Sequence, residues 1–382
     1  MPEATTESFS LSYPAVIRFG WGVRKQLGDL LAERRARRAL FVTRRGLVLS
    51  DWLDLEQSPW TGDVAGHVEG IPHDPPLRAV QGVIEKARDA HADFVVAIGG
   101  GSVIDAAKAA AALAPAEGTV HEYYRGEKRV PGPGLPFAAL PTTAGAGAEV
   151  TKNAVLSDPD SRQKKSLRSP HMVPSAALVD PEFTVSMPKD LTAASGLDAL
   201  TQAIESYLSL GANAVSMPLA REACRLLFEW LPRAYADGTN RPAREGVAKG
   251  SLLSALAFSQ SGLGAVHGLA HPIGDLLDLP HGLTCAILLP NVLDWNRPAC
   301  QEALANLAAT CLGSARATPD DFAGEVRRLV RSLGIPAGFA GYGLTRTHLA
   351  FILDRCRSGS MKANPRPMSD EDVEGLLTPL LG

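Results

Sequence analysis

Cysteine is scarce in this 382-residue chain, and the little there is forms no pair. Cys224, Cys285, Cys300, Cys311 and Cys356 are odd in number, widely spaced and free of any CxxC. That pattern excludes a disulfide framework, and the five read as small core residues of a protein kept in a reducing compartment. An excess of one charge is also lacking, since 38 Lys and Arg against 41 Asp and Glu leave a formal charge of −3. Without a broad basic field no nucleic-acid partner is expected, and the cluster Arg34, Arg35, Arg37 and Arg38 reads as a solvated helix end. No run approaches the ~18 apolar residues of a membrane span. The opening segment MPEATTESFSLSYP has neither the basic start nor the apolar core of a leader, so a soluble, cytoplasmic protein is expected. Internal repeats and low-complexity tracts are missing too; the alanine-rich stretch from Ala106 to Ala114 is a strong helix former.

What remains is a length beyond one usual domain and a 45% hydrophobic content, which favour two cores. The first half alternates strand-like runs with helical patterns: AVIRFG, ALFVTRRG, FVVAIGGGSVIDAAKAAAAL, LPFAALPTT and SAALVDPEF. Short, continuous apolar runs at 39–43 and 94–98, each followed by glycine or charge, are the mark of buried parallel strands. From Pro188 the texture turns helical, with LTAASGLDALTQAIESYLSL, SMPLAREACRLLFEWL and EGVAKGSLLSALAF. The expected architecture is an α/β domain with a mostly parallel sheet over 1–187 and an all-helical domain over 188–382, with Pro181 and Pro188 bracketing the connection.

After the strand FVVAI, Gly99, Gly100, Gly101 and Ser102 open a helix that carries Asp105 and Lys108. This order exposes backbone N–H groups at a helix amino end, where anions bind, and three glycines let a phosphate approach the main chain. Ser102 is suited to cap the helix and to donate to an oxygen. Pro141, Thr142 and Thr143, followed by small residues up to Glu149, repeat the arrangement after FAAL. Two such loops at strand ends suit a nucleotide crevice, although a GGGS turn alone is often just a tight connection.

In the helical half, Asp198 and Gln202 are four apart and so share a helix face, as do His267 and His271; His281 follows. Read on spacing alone, His267 and His271 form a ligand pair with His281 as the third imidazole, a set that suits zinc or iron. Hydrogen-bonded core histidines are the alternative for each taken singly.

Together these motifs resemble the iron-containing alcohol dehydrogenases, within the group that includes maleylacetate reductases and dehydroquinate synthases. The likeness runs from Phe19-Gly20-Trp21-Gly22 through GGGSVIDAAKA, LPTTAGAGAEVT, ALVDPEF, GLDALTQAIESY and HGLAHPIG to LPHGLTCAILLP and Asn364-Pro365-Arg366. It implies a dehydroquinate synthase-like fold, with an amino-terminal dinucleotide-binding domain, a helical metal and substrate domain, and an active site in the cleft between them. It also implies the roles of single residues. Gly99, Gly100, Gly101, Ser102 and Asp105 would form the cofactor loop, Thr142 and Thr143 a second contact, and Lys152 would lie on the nicotinamide side. Asp198, position 202, His267 and His281 would hold Fe²⁺ or Zn²⁺, and His271 would stand beside substrate and nicotinamide as a proton-transfer or positioning group.

The chain departs from that pattern at two places. Position 202 is Gln, whose amide oxygen is a weaker donor than imidazole, which leaves two alternatives. One is a retained but weakened site at Asp198, Gln202, His267 and His281; the other is a metal-independent reductase of the maleylacetate reductase type, in which His267, His271 or His281 polarises the carbonyl. The second departure is Arg44, with Arg45 beside it, where NAD-preferring members tend to carry Asp; an arginine pair there suits a 2′-phosphate and hence NADP. The expected reaction is hydride transfer between NAD(P) and a small alcohol or its aldehyde or ketone. Leu263, Val266, Leu269 and Ile273 surround the histidines, and Lys152 and Lys362 are the candidates for holding a charged substrate. A dehydroquinate-synthase-like lyase and a binding protein without catalysis are the competing readings. The resemblance further suggests a homodimer or larger homo-oligomer, with the segment 9–19 as an exchange strand.

Overall fold

The polypeptide forms two compact units, Tyr13–Met187 and a second made of Pro188–Gly382 together with the described residues up to Ser12. The computed structural model describes residues 8–161 and 163–382. In the first unit, β1 (Val16–Phe19), β2 (Arg38–Thr43), β3 (Asp63–Glu69), β4 (Phe94–Gly99), β5 (Phe137–Pro141) and β8 (Ala176–Val179) make one sheet in the order β1-β8-β5-β4-β2-β3. Every pairing in it is parallel. Strands buried on both faces need apolar side chains at every position, which explains the unbroken apolar runs of β2 and β4. Alternate residues serve opposite cores. Leu40, Val42, Val95 and Ala97 pack with α2 (Leu77–Asp89) and α3 (Gly101–Leu113), while Phe41, Phe94, Val96 and Ile98 pack with α1 (Leu27–Glu33).

Strand order fixes where a ligand sits. From β2 the chain moves outward to β3 at one edge, whereas from β4 it moves through β5 and β8 toward the other. The direction of winding therefore reverses between β2 and β4, and open parallel sheets bind ligands beyond the carboxyl ends of the strands at such a point. Two features of this unit are absent from the sequence reading. Strand β3 lies between the runs ALFVTRRG and FVVAIGGG, where no strand is expected, and β6 (Asn153–Asp158) with β7 (Gln163–Arg168) forms a separate antiparallel hairpin.

The second unit is built on α4 (Lys189–Leu208), which is buried on nearly every side from Thr192 onward. Small residues permit that burial: a Cβ on Gly196 would fall 2.2 Å from Leu231 Cδ1 of α5 (Ser216–Ala236). Helices α5 and α6 (Arg241–Ser261) flank α4, followed by α7 (Ala265–Leu277) and α8 (His281–Asn296). The side chain of Gln260 on α6 holds the start of the chain, accepting from Ser12 N at 2.9 Å and donating to Ser12 O at 3.0 Å. Among the described residues no helix is long and apolar enough to cross a membrane.

Candidate metal centre and nucleotide crevice

Three helices of the second unit bring four ligating side chains together. Asp198 comes from the middle of α4, His267 from the first turn of α7, and His281 with Cys285 from the first turns of α8. Their donor atoms all lie within 4.8 Å of one another, and Asp198 Oδ1 is 3.4 Å from His267 Nε2. The close approach of α8 to α4 requires glycine at 282, because a Cβ there would lie 2.4 Å from Ala194 O. His271, one turn beyond His267, stands outside the donor group and stacks on His281 with ring centroids 4.9 Å apart. His271 and His281 are half-buried while Asp198, His267 and Cys285 are buried, so the accessible side of the cluster is the one these two imidazoles line.

Asp198 Oδ1, Gln202 Oε1 and His267 Nε2 are buried polar atoms with no hydrogen-bond partner. Each such atom costs about 1–3 kcal/mol when left unmade. Three on adjoining helical faces fit a divalent cation, which would satisfy them at once. The other nitrogen of His267 is already committed: Nδ1 lies 2.6 Å from Glu205 Oε2, while Glu205 Oε1 accepts from Val266 N at 2.6 Å. A carboxylate at Nδ1 holds the proton there and leaves the Nε2 lone pair for a metal. Burial opposes a positive His267, yet Cys285, Glu205 and Asp198 around it raise its pKa well above the ordinary value, so this position favours a cation. Burial pushes the Cys285 thiol up to about 11, against the pull of His267. Asn364 completes the support, its Oδ1 accepting from Ala265 N at 3.1 Å and its side chain paired both ways with Asn296.

The glycine loop lies in the first unit, beside the point where the winding reverses. A Cβ on Gly101 would approach Ala146 Cβ to 3.1 Å, and one on Gly100 would meet Thr143 at 3.4 Å, so the loops after β4 and β5 touch. Thr142 N donates to Gly99 O at 2.9 Å and ties them together. Helix α3 begins at Gly100 without a side-chain cap; Ser102 Oγ accepts from Asp74 N at 3.3 Å instead of capping. Val103 N donates to Gly100 O, so the N–H groups of Gly101 and Ser102 at the start of α3 are the ones offered to an anion. Asp105 is buried and its Oδ2 accepts from Val155 N at 2.9 Å. Lys108 donates to Thr151 O, Thr151 Oγ1 and Asn153 O, pinning the start of the β6–β7 hairpin. Burial, the largest influence on all three, raises Asp105 to about 6 and Glu149 to about 7 and lowers Lys108 to about 8. Arg44 follows β2, half-buried, its N–H donating to Ile98 O; Arg45 and Lys152 are exposed.

The model for "Iron-containing alcohol dehydrogenase" matches residues 14–181, and the one for "Fe-containing alcohol dehydrogenase family, C-terminal" matches 192–381. The chain belongs to the iron-containing alcohol dehydrogenase family. That makes it an oxidoreductase acting on CH–OH groups, with the parallel-sheet and helical architecture of its relatives. It is 34% identical over 376 residues to long-chain-alcohol dehydrogenase 1 of Geobacillus thermodenitrificans, covering 95% of this chain and 94% of the relative. Its fold matches a crystal structure of 1,3-propanediol oxidoreductase with a TM-score of 0.92 at 30% identity, covering 98% of this chain and 100% of the other. A TM-score of 0.90 at 29% identity relates it to sulfoacetaldehyde reductase from Bifidobacterium kashiwanohense in complex with NAD⁺, over 98% and 99% of the two chains.

Within this iron-containing alcohol dehydrogenase, two residues of the centre escaped the sequence reading. Glu205 lies three positions after Gln202 and seven after Asp198, the spacing of one helix face. Cys285 follows His281 by four, and the general reading of the cysteines as core residues hid it.

Proposed function

We propose that this protein is a cytoplasmic NAD(P)-dependent alcohol dehydrogenase or carbonyl reductase that interconverts small alcohols and aldehydes or ketones, as a homodimer or larger homo-oligomer. The observation that carries the reading is the trio of buried atoms without a hydrogen-bond partner, Asp198 Oδ1, Gln202 Oε1 and His267 Nε2, two of them 3.4 Å apart, in a chain of this family. Asp198, Gln202, His267 and His281 would hold a divalent cation; when bound, the cation polarises the substrate oxygen while a nicotinamide supplies or accepts the hydride. The chain's own residues do the rest. Glu205 fixes the His267 tautomer, and Gly282 lets His281 reach Asp198. His271, on the accessible side, carries on its imidazole the proton that the substrate oxygen gains or loses. Gly99 to Ser102 and the first turn of α3 receive the pyrophosphate, with Thr142 and Thr143 across from them, Asp105 holding the hairpin beneath and Lys152 nearest the nicotinamide. Arg44 and Arg45, past the end of β2, favour NADP through a charge-assisted contact to its 2′-phosphate. The edge strand β1, with Phe19 exposed, offers a second copy its surface.

The test pairs metal analysis of tag-free protein with NADPH- and NADH-dependent reduction of short aldehydes, before and after chelation. The reading expects stoichiometric divalent metal, activity lost on chelation and regained with metal, and a KM for NADPH raised about 10–100-fold by Arg44→Ala with NADH little changed. Chelator-resistant turnover by metal-free protein would move carbonyl polarisation to the histidines. No net cofactor oxidation with any carbonyl would sink the dehydrogenase reading.

A further inference from the structure

The cluster around His267 holds one strong donor more than the aspartate and two histidines: Cys285 Sγ, in a side chain with no exposed surface. We infer that Cys285 binds the cation as a thiolate, supplying the strong fourth donor that Gln202 does not, and that it makes the centre prefer zinc to iron. The inference deepens the metal centre proposed above and rests on it.

Two of the donor spacings fit zinc coordination by Asp198, His267, His281 and Cys285, whose donor atoms all lie within 4.8 Å of one another. Zinc bonds of about 2.0–2.1 Å to nitrogen or oxygen and about 2.3 Å to sulfur place neighbouring ligands about 3.4 Å apart for an oxygen and nitrogen and about 3.6 Å for a sulfur and nitrogen. The structure holds Asp198 Oδ1 3.4 Å from His267 Nε2 and Cys285 Sγ 3.6 Å from His281 Nε2. Both helical contributions are built in, since His281 and Cys285 lie four apart on one face of α8 and Gly282 brings that face against α4.

Charge points the same way. Among the ligands themselves, Asp198 with neutral imidazoles leaves a divalent ion one positive charge, which a Cys285 thiolate removes; the Glu205 carboxylate lies outside that shell, against His267 Nδ1. Gln202, buried and neutral, adds a weak oxygen donor and no charge. On binding, the Sγ–H bond breaks, its electron pair forms the sulfur–metal bond and the proton leaves to solvent or buffer; nothing is oxidised. A soft sulfur donor shifts preference toward zinc over iron.

The decisive experiment is zinc X-ray absorption on the full-length protein, with the optical spectrum of its cobalt-substituted form. The expected result is one sulfur scatterer at about 2.3 Å and a near-ultraviolet sulfur-to-cobalt charge-transfer band. The band should persist in Cys311→Ala and vanish in Cys285→Ala, with zinc affinity in chelator competition falling at least about 10-fold in the latter. A nitrogen- and oxygen-only shell, with no charge-transfer band, overturns the thiolate assignment and leaves the Asp198, His267 and His281 centre standing. A folded protein that takes up neither zinc nor cobalt overturns both. The wild-type spectra decide the matter even if Cys285→Ala fails to fold.

Discussion

Replacing Glu205 by glutamine changes one oxygen for an amide nitrogen, yet should weaken the metal centre, because both carboxylate oxygens act as acceptors. Oε1 takes the Val266 N–H and Oε2 faces His267 Nδ1, each at 2.6 Å and both out of solvent. In Glu205→Gln one acceptor becomes a donor. If the amide oxygen keeps Val266, the NH₂ faces His267 Nδ1, which must surrender its proton; the proton then sits on Nε2 and removes the lone pair aimed toward Asp198. If the amide turns over, its NH₂ opposes the Val266 N–H, and a buried donor is left unsatisfied at a cost of about 1–3 kcal/mol. Either arrangement works against metal binding, and losing such a carboxylate partner typically lowers affinity about 10–100-fold. Competition with a chromophoric chelator reads this directly, alongside thermal unfolding of the metal-free protein to confirm the fold. A folded Glu205→Gln whose zinc affinity stays within twofold of wild type would refute the argument that Glu205 sets the His267 tautomer.

Three further outcomes follow from the packing. Gly282→Ala places a Cβ 2.4 Å from Ala194 O and 3.3 Å from Asp198 Cβ, so it should cost about 1–3 kcal/mol in thermal unfolding and weaken metal binding in parallel; unchanged values for both would remove Gly282 from the account. Lys108→Met deletes the donor to Thr151 and Asn153 while leaving Asp105 buried, and urea unfolding should show a loss of about 3–5 kcal/mol, with a loss below about 1 kcal/mol counting against it. Burial raises Glu149 from 4.5 to about 7, with Lys108 opposing, so the folded state keeps a proton that the unfolded chain releases. Its contribution is complete below about pH 4.5 and is lost as pH climbs through about 7. Glu149→Gln lacks that loss, so its stability relative to wild type should rise by about 2.5 kcal/mol between pH 5 and 8; a difference flat across that window would contradict the raised pKa.

The central strands were legible because burial on both faces demands unbroken apolar residues, as Phe94–Gly99 and Phe137–Pro141 show. Strand β3 was not: at the sheet edge it packs only partly, and DVAGHVE carries the polar positions an exposed strand tolerates. The β6–β7 hairpin hid for a similar reason, since QKKSLR has no long apolar run and its anchor, Lys108, lies 43 positions before the Thr151 it holds. Within the metal centre, periodicity along one helix showed that Asp198 and Gln202 share a face, and the substitution of Gln for His was visible as a chemical weakness. What compensates for it was not. Cys285 acquires meaning only when Gly282 seats α8 against α4, a long-range contact between residues 88 positions apart that no local pattern encodes. The same holds for Glu205, whose spacing from Gln202 was in plain view but whose partner, His267, lies 62 positions away. Residues that bind a ligand could be guessed from type and spacing, whereas those that orient the binders are specified by tertiary packing, and the tautomer of His267 and the sulfur beside His281 belong to that second class.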